Sequence, residues 1–215
     1  MRSLSASELG LTVVQSILPG IHAGATLKYV RGTLRSGIDD AARPIGDLLD
    51  SGDDLTGGHT ESHFDLDAGV IAAAGPLRLG AVMRNVTQPR FSDGSASADA
   101  AAAQGFVLPR QTRVGAALDF GKTSPMTIAI DADVKAYATG AGDRRVIAGG
   151  IEQWLFAKRL GVRAGARENR AGAKERTATA GLSIALRKGA YVEGEVARGG
   201  SAAERGWSID SRVSF

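Results

Sequence analysis

The stretch MTIAIDADVK, residues 126–135, alternates between two kinds of side chain and decides the fold class. Every even position from Met126 to Val134 is apolar, while three of the odd positions hold the charged residues Asp131, Asp133 and Lys135. Alternation with a period of two is the pattern of a β-strand with two different faces. The regular charges require water on one face, so the sequence predicts an amphipathic strand.

The same alternation recurs along most of the chain in segments of about ten residues. Short links between successive segments favour antiparallel pairing. The sequence therefore predicts an all-β chain of about eleven strands, near residues 5–17, 21–28, 63–70, 77–86, 113–120, 126–135, 145–156, 160–167, 177–187, 190–197 and 207–215.

The links between these strands alternate in length. Short links at 18–20, 75–76, 121–125, 157–159 and 188–189 are interleaved with longer ones at 32–61, 87–106, 140–143, 171–175 and 199–205. Bacterial transmembrane barrels have short periplasmic turns and longer extracellular loops. We therefore expect an antiparallel up-and-down transmembrane β-barrel as a single domain over 1–215. Residues 33–61 and 88–106 are its predicted long extracellular loops, the first with a short helix near 39–50.

The composition fits a membrane barrel better than a thick globular core. Hydrophobic residues make up 43% of the chain but aromatics only 5%, and 29 residues are glycine. Small side chains fill a thick core poorly. Most aromatics fall near predicted strand ends, as in the girdles of membrane barrels. The net charge of +3 is small and dispersed, so nucleic acid is not an expected partner.

No catalytic residue, metal ligand or cofactor is predicted. The chain has no cysteine, and His22, His59 and His63 belong to no recognisable catalytic or metal motif. Carboxylates such as Glu193 and Glu195 recur in pairs, which is better explained by a solvated barrel interior than by acid-base catalysis. The lumen-facing candidates are Lys28, Asp131, Asp133, Lys135, Arg163, Arg167, Glu193, Glu195, Asp210 and Arg212.

Three ordered segments carry a family resemblance: FDLDAGV at 64–70, LRLGAVMRNVTQPRF at 77–91 and LPRQTRVGAALDF at 108–120. With the hairpin ILPGIHAGATLKYVRG at 17–32, they resemble the PorV/TraF-like outer-membrane proteins of the FadL (long-chain fatty-acid transporter) superfamily. The residues that carry the resemblance are Asn85, Pro89, Phe91, Pro109, Arg110, Gln111, Arg113 and Gly115.

The resemblance implies a barrel of roughly fourteen strands, whereas the pattern gives an odd number near eleven. We therefore expect an N-terminally truncated chain that lacks about three strands and a signal peptide. A shortened gene model or a miscounted strand are the competing explanations. The C-terminal GWSIDSRVSF resembles the assembly signal of outer-membrane barrels, with Trp207, Val213 and Phe215 as its apolar residues.

The leading functional hypothesis is a non-enzymatic β-barrel in the outer membrane of a Gram-negative-type bacterium. It would be either a channel for hydrophobic small molecules or a PorV-like protein-export accessory. The alternatives are a soluble periplasmic β-sandwich or lipocalin-like binding protein, and a barrel enzyme such as an outer-membrane hydrolase. The expected partners are outer-membrane lipid, the barrel assembly machinery and, for the export role, secretion-system components.

Overall fold

A computed structural model describes residues 2–36, 58–92, 105–140, 142–187, 189–201 and 204–213. The described chain consists of strands and their connections. The strands are β1 (Arg2–Leu18), β2 (Ile21–Ser36), β3 (His59–Ala74), β4 (Leu77–Arg84), β5 (Arg90–Phe91), β6 (Phe106–Val107), β7 (Gln111–Phe120), β8 (Met126–Asp133), β9 (Tyr137–Thr139), β10 (Gly142–Arg144), β11 (Val146–Leu155), β12 (Leu160–Asn169), β13 (Arg176–Arg187), β14 (Ala190–Gly199) and β15 (Gly206–Val213).

Eleven of these strands form one sheet in the order β1-β2-β3-β4-β7-β8-β11-β12-β13-β14-β15. Within this sheet, each strand lies beside the sheet strands that precede and follow it in the sequence. Every neighbouring pair from β7 to β15 is antiparallel. The pairs β5–β6 and β9–β10 form two small separate sheets. The predicted all-β, up-and-down topology with eleven main strands is confirmed. Among the described residues, β1 and β15 are the edge strands of an open sheet.

The chain divides into two compact units. The first comprises the described residues of Met1–Val14, Gly24–Ala68 and Arg84–Arg110, and so includes β5 and β6. The second comprises Gln15–Ala23, Gly69–Met83 and the described residues of Gln111–Phe215. All eleven strands of the main sheet contribute residues to this second unit.

The strand register sorts the side chains of the second unit into two faces. One row of paired residues across seven strands is apolar: Leu118, Ile128, Ile151, Ala164, Ala180, Val196 and Trp207. The adjacent row, one residue along each strand, is largely polar: Asp119, Thr127, Glu152, Arg163, Gly181, Glu195 and Ser208. Because side chains alternate across a strand, the rows lie on opposite faces of the sheet.

The apolar face is not covered by other parts of the described chain. Ile128 and Ile151 are each 43% exposed, and Trp207 is 76% exposed. Within the described ranges, the buried apolar side chains are Val30, Leu34, Phe91 and Val146. A continuous exposed apolar surface of this kind marks an interaction with protein or lipid.

Several predicted boundaries differ from the structure. β2 continues to Ser36 and β3 begins at His59, so both ends of the predicted loop 33–61 are strand. The predicted helix at 39–50 lies outside the described residues. β8 ends at Asp133, which makes the placement of Lys135 within that strand wrong, and the link that follows contains the β9–β10 hairpin. The described parts of 88–106 include the short strand β5 and the first residue of β6.

As for helices, none within the described ranges has the length and apolar character needed to cross a membrane.

Candidate functional site

A buried lysine organises the polar face of the first unit. The Lys28 ammonium lies 2.9 Å from Asp65 Oδ2 and 2.8 Å from Asp67 Oδ1, and it donates to Asn85 Oδ1 at 2.8 Å. An ammonium has three protons to donate, and here it meets three oxygens. The side chains of Lys28 and Asp65 are only 8% and 0% exposed. A buried charge requires close opposite charges of this kind.

The turn after β4 supplies the rest of this network. The backbone N–H of Asn85 donates to Asp67 at 3.0 Å, and its side-chain amide donates to the carbonyl of Pro109 at 3.0 Å. Asn85 has a φ of 53°, in the left-handed region that asparagine tolerates better than most residues. Thr87 donates to Asp65 through both its N–H and its hydroxyl. The asparagine of the family motif thus holds the turn against β2 and β3.

The remaining motif residues of this unit complete a cover over the face of β2 that carries Lys28 and Gly32. Phe91 is 1% exposed and packs on Gly32, where an added Cβ would lie 2.5 Å from the phenyl ring. Buried Pro89 accepts a hydrogen bond from the N–H of Leu108 at 2.9 Å. The Arg110 guanidinium donates to the Val86 carbonyl at 2.5 Å. The motif therefore folds a connecting segment onto the sheet and buries it there.

In the second unit, Arg113 joins the predicted lumen-facing carboxylates of β8. Its guanidinium lies 2.9 Å from Asp133 and 3.3 Å from Asp131. The other Asp133 oxygen accepts a hydrogen bond from the N–H of Val146 at 2.7 Å. Gln111 begins β7, and Gly115 lies opposite Asp131 in the register. Arg113 is thus both a motif residue and the counter-ion of two carboxylates that are predicted to face the lumen.

Arg163 organises a second polar cluster across β12 to β15. It lies 3.4 Å from Glu193 and 3.6 Å from Glu195. Arg212 approaches Glu193 to 3.1 Å, and its guanidinium stacks 4.7 Å from the centre of the Tyr191 ring. Gly181 leaves space for the arginine, since a Cβ there would lie 2.5 Å from Arg163 Nε. The structure therefore brings together four of the predicted lumen-facing residues.

Three predicted lumen-facing residues stand apart from these clusters. Arg167, Asp210 and Lys135 form no ion pair within the described parts of the chain. Arg167 and Asp210 lie on strands, and the register places both on the polar face. Lys135 follows the end of β8 and is exposed. Their proposed role in a lumen remains a prediction.

The predicted assembly signal lies on and beyond the edge strand β15. Trp207 and Val213 are 76% and 57% exposed and fall on the apolar face. Phe215 lies outside the described residues. The role of these residues in barrel assembly stays a prediction.

The histidines of β3 form a polar group with Glu61. His59 Nε2 and His63 Nε2 lie 3.3 and 3.6 Å from the two carboxylate oxygens of Glu61, which also accept hydrogen bonds from Ser92. In the described ranges, no three His, Asp or Glu residues are arranged to hold a metal ion. The group therefore acts as a tether between β3 and Ser92.

The link between β14 and β15 contains a separate anchored carboxylate. Glu204 accepts hydrogen bonds from the N–H of Ser201 at 2.9 Å and from the Thr177 hydroxyl at 3.3 Å. Chiefly through the Ser201 N–H, this environment holds the pKa of Glu204 below its ordinary value. Ionised Glu204 therefore stabilises the local conformation of this link.

Sequence reasoning did not select several residues that complete these clusters. They are Gly32, Asp65, Asp67, Thr87, Gly181 and Ser183. Asp65 and Asp67 share the polar parity of β3 and lie in the quoted motif FDLDAGV, so that alternation is the signal that points to them. The two glycines carry no comparable local signal.

Three solved structures share this fold. The CymD monoaromatic hydrocarbon channel matches with a TM-score of 0.62 and 14% identity, over 100% of this chain and 74% of that one. The toluene transporter TbuX of Ralstonia pickettii matches with a TM-score of 0.57 and 14% identity, over 99% of this chain and 67% of that one. The toluene transporter TodX of Pseudomonas putida matches with a TM-score of 0.56 and 14% identity, over 98% of this chain and 68% of that one. At these identities the likeness shows the fold alone.

Sequence comparison gives the family. No curated protein sequence matches this chain, but residues 1–133 match the family model described as "F plasmid transfer operon, TraF, protein". The match covers more than half of the chain and includes all the residues that carry the sequence resemblance. The match confirms the TraF-like part of the sequence resemblance, and the hydrocarbon channels share the fold that the resemblance implies. The chain belongs to this TraF family.

Proposed function

We propose that this chain forms the wall of a non-enzymatic channel for small hydrophobic molecules in the outer membrane of a Gram-negative-type bacterium. The observation that carries the proposal is the apolar row from Leu118 to Trp207, which is exposed on one face of the sheet, while the adjacent polar row lies on the opposite face. Lipid covers an outward apolar face in membrane barrels, and the other face surrounds a polar lumen.

A soluble β-sandwich or lipocalin-like protein would use its apolar face differently. Its apolar side chains would pack into a core between sheets or inside a barrel. Here the side chains of Ile130, Leu182 and Ile209 are 58%, 51% and 69% exposed. This exposure favours the membrane barrel over both soluble alternatives.

Support for a hydrophobic cargo comes from the fold and from the lining of the polar face. The structures with a similar fold are named as toluene transporters or a monoaromatic hydrocarbon channel. A hollow of about 270 Å³ is lined by the charged residues Glu152 and Arg163 and by the small residues Ala129, Gly150 and Gly165. Small residues between charged ones leave room for a compact apolar solute to pass.

Two tryptophan substitutions at adjacent residues test the channel. Ala129→Trp adds bulk to the polar face, while Ile130→Trp adds it to the apolar face of the same strand, and both sites are exposed. In a Gram-negative host lacking a similar channel, the wild-type chain should raise the initial rate of radiolabelled toluene uptake. Ala129→Trp should abolish most of that increase, and Ile130→Trp should retain it.

The outcome is interpretable only at equal amounts of folded protein. Heat-modified migration of the boiled and unboiled protein on gels supplies that control. No increase in uptake with the wild-type chain, or an equal loss in both variants, would refute the proposed channel.

A role in export or plasmid transfer is the second candidate. The description of the matching family favours it, because that family model is named for a plasmid transfer operon. Deleting the gene for this chain from its host and measuring the frequency of plasmid transfer separates the two roles. A fall in transfer that Ala129→Trp fully restores would favour the accessory role, since that variant blocks only the proposed solute path.

A further inference from the structure

The apolar face of the second unit carries a groove near the end where the β12–β13 and β14–β15 links lie. Its volume is about 650 Å³. The strand register places one row along its floor, formed by Ile130, Gly149, Ala166, Ala178 and Arg198. The row thus passes from apolar and small residues to an arginine on the same face.

A second row lies closer to the links and adds charge to the groove. Ile147 is paired with Glu168, and Glu168 is paired with Arg176. The Arg176 guanidinium lies 3.0 Å from the Glu168 carboxylate, and Arg170 lies 3.8 Å from it. The groove therefore has an apolar floor and a charged border.

The charges of this border do not cancel. Glu168 supplies one negative charge, whereas Arg170, Arg176 and Arg198 supply three positive charges, and the register places the fourth lining arginine, Arg167, on the opposite, polar face. Arg198 is exposed and has no ion pair within the described ranges. The border therefore carries a net charge of about +2, because arginine remains protonated at all relevant pH values.

We propose that this groove binds one anionic lipid of the outer leaflet, with an acyl chain on the apolar floor and a phosphate between Arg176 and Arg198. Guanidinium groups bind phosphate through paired, charge-assisted hydrogen bonds. Longer loops of outer-membrane barrels face the cell exterior, which places the arginines at the headgroup level. The inference rests on the proposed outer-membrane location, and its ligand is a phosphorylated, acylated lipid.

Binding of lipid A to the purified full chain in detergent tests the inference. The double substitution Arg176→Ser with Arg198→Ser removes two of the groove cations. The matched control, Arg159→Ser with Arg187→Ser, removes two exposed arginines from the end with short turns. Native mass spectrometry, or a titration with fluorescent lipid A, gives the dissociation constant in each case.

We expect the groove variant to bind lipid A about 25-fold more weakly than wild type, at about fivefold per arginine. The control should bind as wild type does. Diphosphoryl lipid A should bind more tightly than its monophosphoryl form. Equal binding by both double variants, or equal binding of the two lipids, would overturn the proposal.

A variant that keeps every charge covers the case in which the double substitution fails to fold. Ala178→Trp fills the floor of the groove and should also weaken lipid A binding, while an unchanged dissociation constant would contradict an acyl chain there. These measurements in detergent do not depend on transport. Toluene uptake that persists without selective lipid binding would refute this site and leave the channel intact.

Discussion

Two charged clusters on polar strand faces differ in how completely the protein surrounds them. The Lys28 cluster is buried, and its ammonium lies 2.8 to 2.9 Å from three oxygens. The Arg163 cluster has longer contacts of 3.4 and 3.6 Å, and its Arg163 and Glu195 side chains are 28% and 41% exposed. The same types of charge therefore form a fixed anchor in one unit and a solvated lining in the other.

This difference predicts a structural role for the Lys28 cluster and a functional role for the Arg163 cluster. Removing one member of a buried ion pair leaves an uncompensated charge and costs about 3 to 5 kcal/mol. Exposed pairs contribute about 0 to 1 kcal/mol. The Lys28 cluster should therefore hold the family-motif segment in place, whereas the Arg163 cluster should tolerate substitution and adjust what passes along the polar face.

The largest effect is expected at Lys28. Lys28→Met leaves buried Asp65 without its counter-ion, so the free energy of unfolding should fall by about 3 to 5 kcal/mol. Urea unfolding in detergent, followed by tryptophan fluorescence, measures the change. Lys135→Met is the control, because Lys135 is exposed and should change stability by less than about 0.5 kcal/mol. Equal effects of the two substitutions would show that the network is not an anchor.

A loss of similar size is expected from the segment that covers the Lys28 face of β2. Phe91→Ala removes a phenyl ring that is 1% exposed, and such truncations cost about 3 kcal/mol or more. Phe156, which is 72% exposed, provides the control substitution Phe156→Ala. Urea unfolding should show a shift only for Phe91→Ala. If the two variants unfold alike, the motif segment is not packed as described.

The Arg163 cluster should show a weaker coupling. A double-mutant cycle with Arg163→Gln and Glu193→Gln should give an interaction free energy below about 1 kcal/mol, because the pair is partly solvated and 3.4 Å apart. Both substitutions should leave the fraction of folded barrel unchanged. A coupling of 3 kcal/mol or more would make this cluster an anchor as well and would remove the contrast with Lys28.

The smallest effect is a local pH dependence in the β14–β15 link. The pKa of Glu204 is held below its ordinary value of 4.5. Its stabilisation is therefore complete above that value and is lost as the pH falls through the lowered pKa of the folded state. The protection factor of the Ser201 amide in hydrogen exchange should fall over that acidic range. In Glu204→Gln the protection factor should lack this transition, and a transition that persists there would assign it to another group.

Alternation alone predicts which side chains share a face but does not predict how connecting segments pack. Thr127 and Ile128 fall on the expected opposite faces because the period of a strand is two. By contrast, Lys28 and Asn85 are 57 residues apart, and their contact depends on a turn with positive φ at Asn85. No local pattern specifies such a long-range contact, so the sequence resemblance identifies the motif segments but not the contacts between them.

The central claim is that lipid covers the apolar face while water reaches the polar one. Because the chain contains no cysteine, a single cysteine can be introduced in turn at the adjacent exposed positions Ile128, Ala129 and Ile130 and labelled with the fluorophore NBD. After reconstitution of the protein into lipid vesicles, lipid-bound quenchers should act at 128 and 130, and an aqueous quencher should act at 129. Aqueous quenching at all three positions, with no alternation, would contradict the membrane barrel.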